Sequence, residues 1–116
     1  NDFLRGIDPS IMRSNLDKIL TRITAKGKPI LIAGMIIPQN WGNSYEQAAT
    51  PIYPELSKIH NALLYPFFME GIARNPKFNL ADGLHPNKEG VAIIVKRMLP
   101  IVEELIARIS IASSAN

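Results

Sequence analysis

A chain of 116 residues, 47% hydrophobic and 20% charged, holds enough apolar material for the core of one domain and no more. Its net charge of +3 comes from 13 Lys and Arg residues scattered along the chain without an aromatic-basic cluster, which argues against a nucleic-acid surface. The absence of Cys removes disulfides, thiolate catalysis and Cys-ligated zinc, and no apolar run is long enough to span a membrane.

Asn1-Asp2-Phe3-Leu4-Arg5-Gly6 reads as the interior of a domain rather than as a polar tail. Asp8 is a good helix N-cap with Pro9 in the first helical position. Ile11, Met12, Leu16, Ile19, Leu20 and Ile23 then line one face up to a stop at Lys26-Gly27. Pro29-Ile30-Leu31-Ile32-Ala33-Gly34-Met35 is apolar without alternation, the pattern of a central strand in a parallel sheet covered on both faces. From Ile36 to Thr50 the chain is polar and irregular, directly beyond the carboxyl end of that strand, where open α/β sheets bind ligands. This loop reads equally well as a wall of a site or as a surface loop in which Trp41 packs locally.

A second helix is expected over 44–60, with Pro51 and Pro54 disturbing its middle. His60, near its end, reads as a helix-terminal or surface cation that complements the helix dipole. Ala62-Leu63-Leu64-Tyr65-Pro66 predicts a second buried strand. Phe67, Phe68, Met69 and Ile72 after it read as core in preference to an acyl-chain contact.

In Asp82-Gly83-Leu84-His85-Pro86 a carboxylate and an imidazole stand three residues apart where regular structure pauses. Gly83 permits a tight turn and Pro86 biases His85 away from helix, so both side chains can meet. Such a pair is half of a catalytic triad: the His moves a proton between nucleophile and leaving group while the carboxylate orients the ring. An Asp-x-x-His spacing also arises by chance in about one chain of this length in ten, and then merely fixes a loop. A metal site would need three or more ligands, and His60 is the only other His. Asn87 caps a long amphipathic helix on which Val91, Ile94, Val95, Met98, Leu99, Val102, Leu105, Ile106 and Ile109 recur at helical spacing, with a kink, a break or an apolar contact that tolerates the proline expected at Pro100.

Asp82-Gly83-Leu84-His85-Pro86-Asn87 resembles the last block of the SGNH hydrolase family, also called the GDSL esterase/lipase family, which supplies the triad Asp and His. Asn1-Asp2 resembles the end of that family's third block, Gly-x-Asn-Asp. Tyr53-Pro54-Glu55-Leu56 and the stretch from Leu64 to Glu70 are similar to its bacterial acyl-thioesterase/lysophospholipase/arylesterase branch. The resemblance implies that residues 1–116 are the C-terminal portion of a single SGNH-hydrolase domain, a flavodoxin-like three-layer α/β/α fold with a parallel sheet.

The family's Gly-Asp-Ser block, which bears the nucleophile, has no counterpart here, and no Ser in the chain follows Gly-Asp. By resemblance, then, the chain belongs to a serine ester or thioester hydrolase whose nucleophile lies in an N-terminal portion present as a separate piece. His85 and Asp82 would be the catalytic pair, Asn1 an oxyanion-hole donor, and Ile37 and Pro38 part of the acyl-chain channel. The implied substrate is a small acyl ester or thioester, no cofactor or metal is called for, and a periplasmic or secreted location follows from the branch. The competing reading is a non-catalytic binding module that keeps the fold without the nucleophile.

Overall fold

In the computed structural model, which describes residues 2–37 and 39–114, the first long helix begins at Asp8 and Pro9 as predicted. The Asp8 carboxylate accepts from the Ser10 N–H at 2.8 Å and from the Ser10 hydroxyl at 2.6 Å. Pro9 fills a position whose N–H would have no partner inside the helix. Helix α1 (Pro9–Thr24) buries Met12 and Leu20 and leaves Ile11 and Ile19 exposed.

Strand β1 (Leu31–Ala33) pairs in parallel with β2 (Leu63–Tyr65), with Ile32 opposite Leu64. Parallel pairing requires a crossover, and two helices provide it: α2 (Asn43–Ala49) and α3 (Ile52–Ile59). The single helix expected over 44–60 is therefore two. Pro51 has no N–H to offer the preceding turn, so α2 closes with the Thr50 N–H donating to Glu46 O at 2.9 Å, and a new helix starts at Ile52. Pro54 does no harm, because it stands in the first turn of α3.

Ile32 and Leu64 face a core that also holds Phe3, Met12, Ile52 and Leu56. Phe3 presents its ring edge-to-face to Tyr45 and Tyr53, with centroids 6.4 and 5.9 Å away. Leu63 and Tyr65, the other alternate pair of β2, are buried outside that core, on the face where helix α4 (Lys88–Ser114) packs against both strands. The result is an α/β arrangement with a small parallel sheet between helices. The sheet edge is open, however. Among the described residues β1 has only β2 beside it, and Ala33, Met35 and Ile36 are exposed, so the expected central strand is an edge strand here, with helices on both of its faces.

Beyond the sheet, the Gly34 N–H donates to Tyr65 O and the Phe68 N–H to Gly34 O, both at 2.8 Å. A Cβ at Gly34 would lie 2.4 Å from Pro66 O, so only glycine lets the segment after β2 cross so closely over the end of β1. That crossing delivers Met69 and Ile72 into a second core with Ile94 of α4, which settles the apolar block as core. Helix α4 runs through Pro100 without a break. Pro100 and Lys96 are both exposed, so water can bond the carbonyl that the missing N–H leaves over. Among the described residues no helix is long and apolar enough to cross a membrane.

Candidate active site

The loop that carries Asp82 and His85 is tied at its base. Asn79 and Pro86 form an isolated antiparallel bridge, in which the Leu80 N–H donates to His85 O at 2.8 Å and the Asn87 N–H to Phe78 O at 2.9 Å. At the tip the Gly83 N–H donates to Leu80 O at 2.9 Å, with Gly83 at φ +68°, a conformation that costs glycine little and other residues more. Asn87 then fastens the loop to α4. Its Oδ1 accepts from the Gly90 N–H at 3.0 Å, the N-cap bond expected of it, while its Nδ2 donates to Lys77 O at 2.8 Å. Gly90 makes this closeness possible, since a Cβ there would lie 2.2 Å from Phe78 O.

Within this frame Asp82 accepts three hydrogen bonds. Oδ1 takes the backbone N–H groups of Leu84 and His85 at 2.9 and 3.0 Å, and Oδ2 takes the His85 ring at Nδ1, 2.8 Å away. Hydrogen bonds to the ionised form lower a carboxyl's pKa. The His85 backbone N–H contributes most, then the His85 ring and the Leu84 N–H, and Asp82 is held down at about 2. An ionised carboxylate can only accept, so His85 Nδ1 carries the proton, and in the neutral form of the ring the lone pair is at Nε2. The His85 side chain is 72% exposed, so that lone pair is open to a reacting group. The arrangement can accept a proton at Nε2 and stabilise the resulting imidazolium from behind.

His60 differs in every respect. It caps the end of α3 as expected, but its side chain is buried against α1 rather than on the surface, and it uses Nε2 on Asp17 Oδ1 at 2.6 Å. Together with Arg13 on Glu55 at 2.6 Å, this pair joins α1 to α3. Its role is structural.

The remaining predicted site residues are placed as follows. Asn1 and Pro38 lie outside the described residues. Ile37 is 4% exposed and packs into the core beside Phe3 and Ile52, so the apolar surface beyond β1 is presented by Met35 and Ile36 instead. Trp41 packs on the start of the chain and not locally: its Nε1–H donates to Phe3 O at 2.8 Å and its ring lies over Gly6. Sequence reading missed a cleft of about 430 Å³ beside the Asp82–His85 loop, lined by Arg74, Asn79, Leu80 and Gly83 among others. The available signal was Arg74-Asn75-Pro76, a turn-forming run directly before the loop.

The chain is 36% identical over 89 residues to an arylesterase of Vibrio mimicus, a match that covers 77% of this chain and 44% of the relative. It is 34% identical over 106 residues to the thioesterase 1/protease 1/lysophospholipase L1 of Escherichia coli K12, covering 91% and 51%. Its fold superposes on the crystal structure of AlinE4, an SGNH-hydrolase family esterase, with a TM-score of 0.67 at 38% identity, over 90% of this chain and 55% of that one. This chain belongs to the SGNH-hydrolase family. No protein-family model matches it, and it spans about half the length of the curated relatives it matches. As an SGNH-hydrolase chain it falls in the branch of the arylesterase and thioesterase 1, and the small parallel sheet described above is the part of the family's fold that it forms.

Proposed function

We propose that this chain supplies the proton-transfer half of a serine hydrolase acting on acyl esters or thioesters. The observation that carries the reading is the Asp82–His85 pair, 2.8 Å apart, with the carboxylate ionised and the His85 side chain exposed. The relatives named arylesterase and thioesterase supply the substrate classes.

In this reading a serine in the rest of the domain, outside these 116 residues, attacks the acyl carbonyl while His85 Nε2 takes its proton. The Ser Oγ–C bond forms, the carbonyl oxygen becomes an oxyanion, and the C–O or C–S bond then breaks as His85 returns the proton to the leaving group. Water repeats the cycle on the acyl-enzyme, with His85 again as base. Asp82 holds the ring in the required tautomer throughout. Asn1 donates its side-chain N–H to the oxyanion, a contact whose loss typically costs ~3 to 4 kcal/mol of transition-state stabilisation. By resemblance, the segment around Ile37 and Pro38, just past the end of β1, forms a wall of the acyl channel, although the Ile37 side chain itself is turned into the core.

The test is phosphonylation of the assembled protein by a fluorophosphonate, followed by intact mass of each polypeptide. The reading predicts one adduct per site on a serine outside this chain, and loss of labelling in His85→Ala with folding retained. Labelling that is unchanged in His85→Ala would contradict it.

A further inference from the structure

The cleft of about 430 Å³ beside the catalytic loop has a chemical character of its own. Pro76, Leu80 and Ala81 give it apolar walls, Gly83 of the loop forms one side, and Arg74 is the only charged residue in the lining. The Arg74 guanidinium is exposed and makes no hydrogen bond or ion pair with any described residue. The nearby acidic groups are engaged elsewhere: Glu70 faces Arg97 at 3.7 Å, and Asp82 accepts from Leu84 and His85. Arg74 also holds a left-handed backbone, φ +60°, where a residue other than glycine or asparagine is uncommon. The buried Asn79 in the same lining donates through Nδ2 to Ile72 O and Asn75 O, at 2.7 and 2.8 Å, and so fixes the turn that presents Arg74. Its Oδ1 is left without a partner.

We infer that this cleft is a subsite for the leaving group, and that it selects acyl esters whose leaving group carries an oxyanion, a carboxylate or a phosphate, paired with Arg74. The inference rests on the hydrolase reading above and deepens it. Three features support it. Gly83, in the turn between Asp82 and His85, lines the cleft, so a group bound there rests against the loop that carries the proton donor of the departing oxygen or sulfur. A guanidinium matches the flat, two-oxygen face of a carboxylate or phosphate better than an ammonium does. Its apolar walls can hold the carbon skeleton between the reacting bond and the anion.

The assembled protein is assayed with 2-nitrophenyl butyrate and with 3-butanoyloxy-4-nitrobenzoate, which differ by one carboxylate on the leaving group. Arg74→Gln is expected to lower kcat/KM for the anionic ester about tenfold, through KM, and to change the neutral ester less than twofold. Arg74→Gly should do the same without loss of stability, since glycine suits the backbone there. A parallel fall for both esters, or no change for either, overturns the inference. Should neither ester be turned over, the hydrolase reading fails, and the subsite is then judged by binding. In that arm 3-hydroxy-4-nitrobenzoate and phenyl phosphate are each titrated while the amides of Arg74, Leu80 and Gly83 are followed by NMR. Shifts that vanish in Arg74→Gln uphold the subsite, and the tighter ligand names the oxyanion. Absence of shifts with both ligands overturns it.

Discussion

Asp82 accepts three hydrogen bonds from its own loop, and this gives it a titration unlike that of an ordinary surface carboxylate. Its pKa is about 2 in the folded chain against an ordinary 3.8, so as pH falls the unfolded chain takes up this proton first. The contribution of the group to stability is therefore complete above about pH 4 to 5 and is lost as pH falls through about 2. Carbonyl-carbon NMR should show the Asp82 carboxylate titrating near 2, and Asp82→Asn should remove that step from the acid unfolding profile. It follows that the acid limb of a pH–rate profile above about pH 3 does not come from Asp82. Asp82→Asn should also lower kcat by ~10³ to 10⁴-fold with little change in KM, because an amide at Oδ2 can donate to Nδ1 and so favour the wrong tautomer. At this scale the pair was legible from sequence because loop residues three apart are neighbours in space whatever the rest of the chain does. Ile37 was not, since an apolar run states that its residues are buried but not which of them turns inward after the strand ends. Arg74 was hidden for a related reason: an exposed cation reads as a solvated surface until its neighbours are placed around it.

The elements around the loop act as a clamp, and α4 is the fixed jaw. Asn87 and Gly90 in its first turn hold Phe78 and Lys77, so the start of the helix and the base of the loop are one unit. Gly90→Ala is a test of this. Alanine favours a helix by about 1 kcal/mol, but a methyl 2.2 Å from Phe78 O forces a backbone shift costing about 2 to 3 kcal/mol, for a net loss of about 1 to 2 in urea denaturation. The same variant should loosen the loop and broaden the His85 ring resonances. Pro100→Ala should do the opposite: it restores a donor inside an exposed, continuous stretch of α4 and is expected to stabilise by about 1 to 3 kcal/mol without touching the loop. Helix periodicity and capping made α1 and α4 readable, from Asp8-Pro9 and from Asn87. The division of 44–60 was readable only as a disturbance, because Pro51 could bend one helix or separate two, and the crossover geometry between β1 and β2 decided it.

The whole molecule is less compact than its length allows. Its Cα radius of gyration is 15.9 Å, where a chain of this size folded as a complete domain has about 13 Å. Its accessible surface is 8013 Å², against about 6,300 Å² for a folded monomer of its mass. Among the exposed apolar residues are Val91, Val95 and Leu99 along α4, and Met35 and Ile36 beyond the β1 edge. These features agree with a chain that spans about half of its relatives, and with the proposal that the rest of the domain docks on them. Supplying that remainder in trans should shield the β1 amides from hydrogen exchange, and Met35→Asp with Ile36→Asp should weaken the association at least tenfold while leaving α1 and α3 intact. That a portion of the domain is missing was legible from the resemblance and from the small number of strands; which residues it would cover was not, since a sequence marks a strand as buried without saying by what.

The most direct test of the central claim is steady-state hydrolysis of p-nitrophenyl butyrate by the assembled protein and its His85→Ala variant, with thermal unfolding measured on both. The account predicts a fall in kcat of at least ~10³-fold at a nearly unchanged melting temperature, since His85 is exposed and gives up only one exposed hydrogen bond, to Asp82, besides its proton transfer. A variant that keeps more than about a tenth of wild-type kcat would contradict it, and the Asp82–His85 pair would then stand only as the fastening of a surface loop.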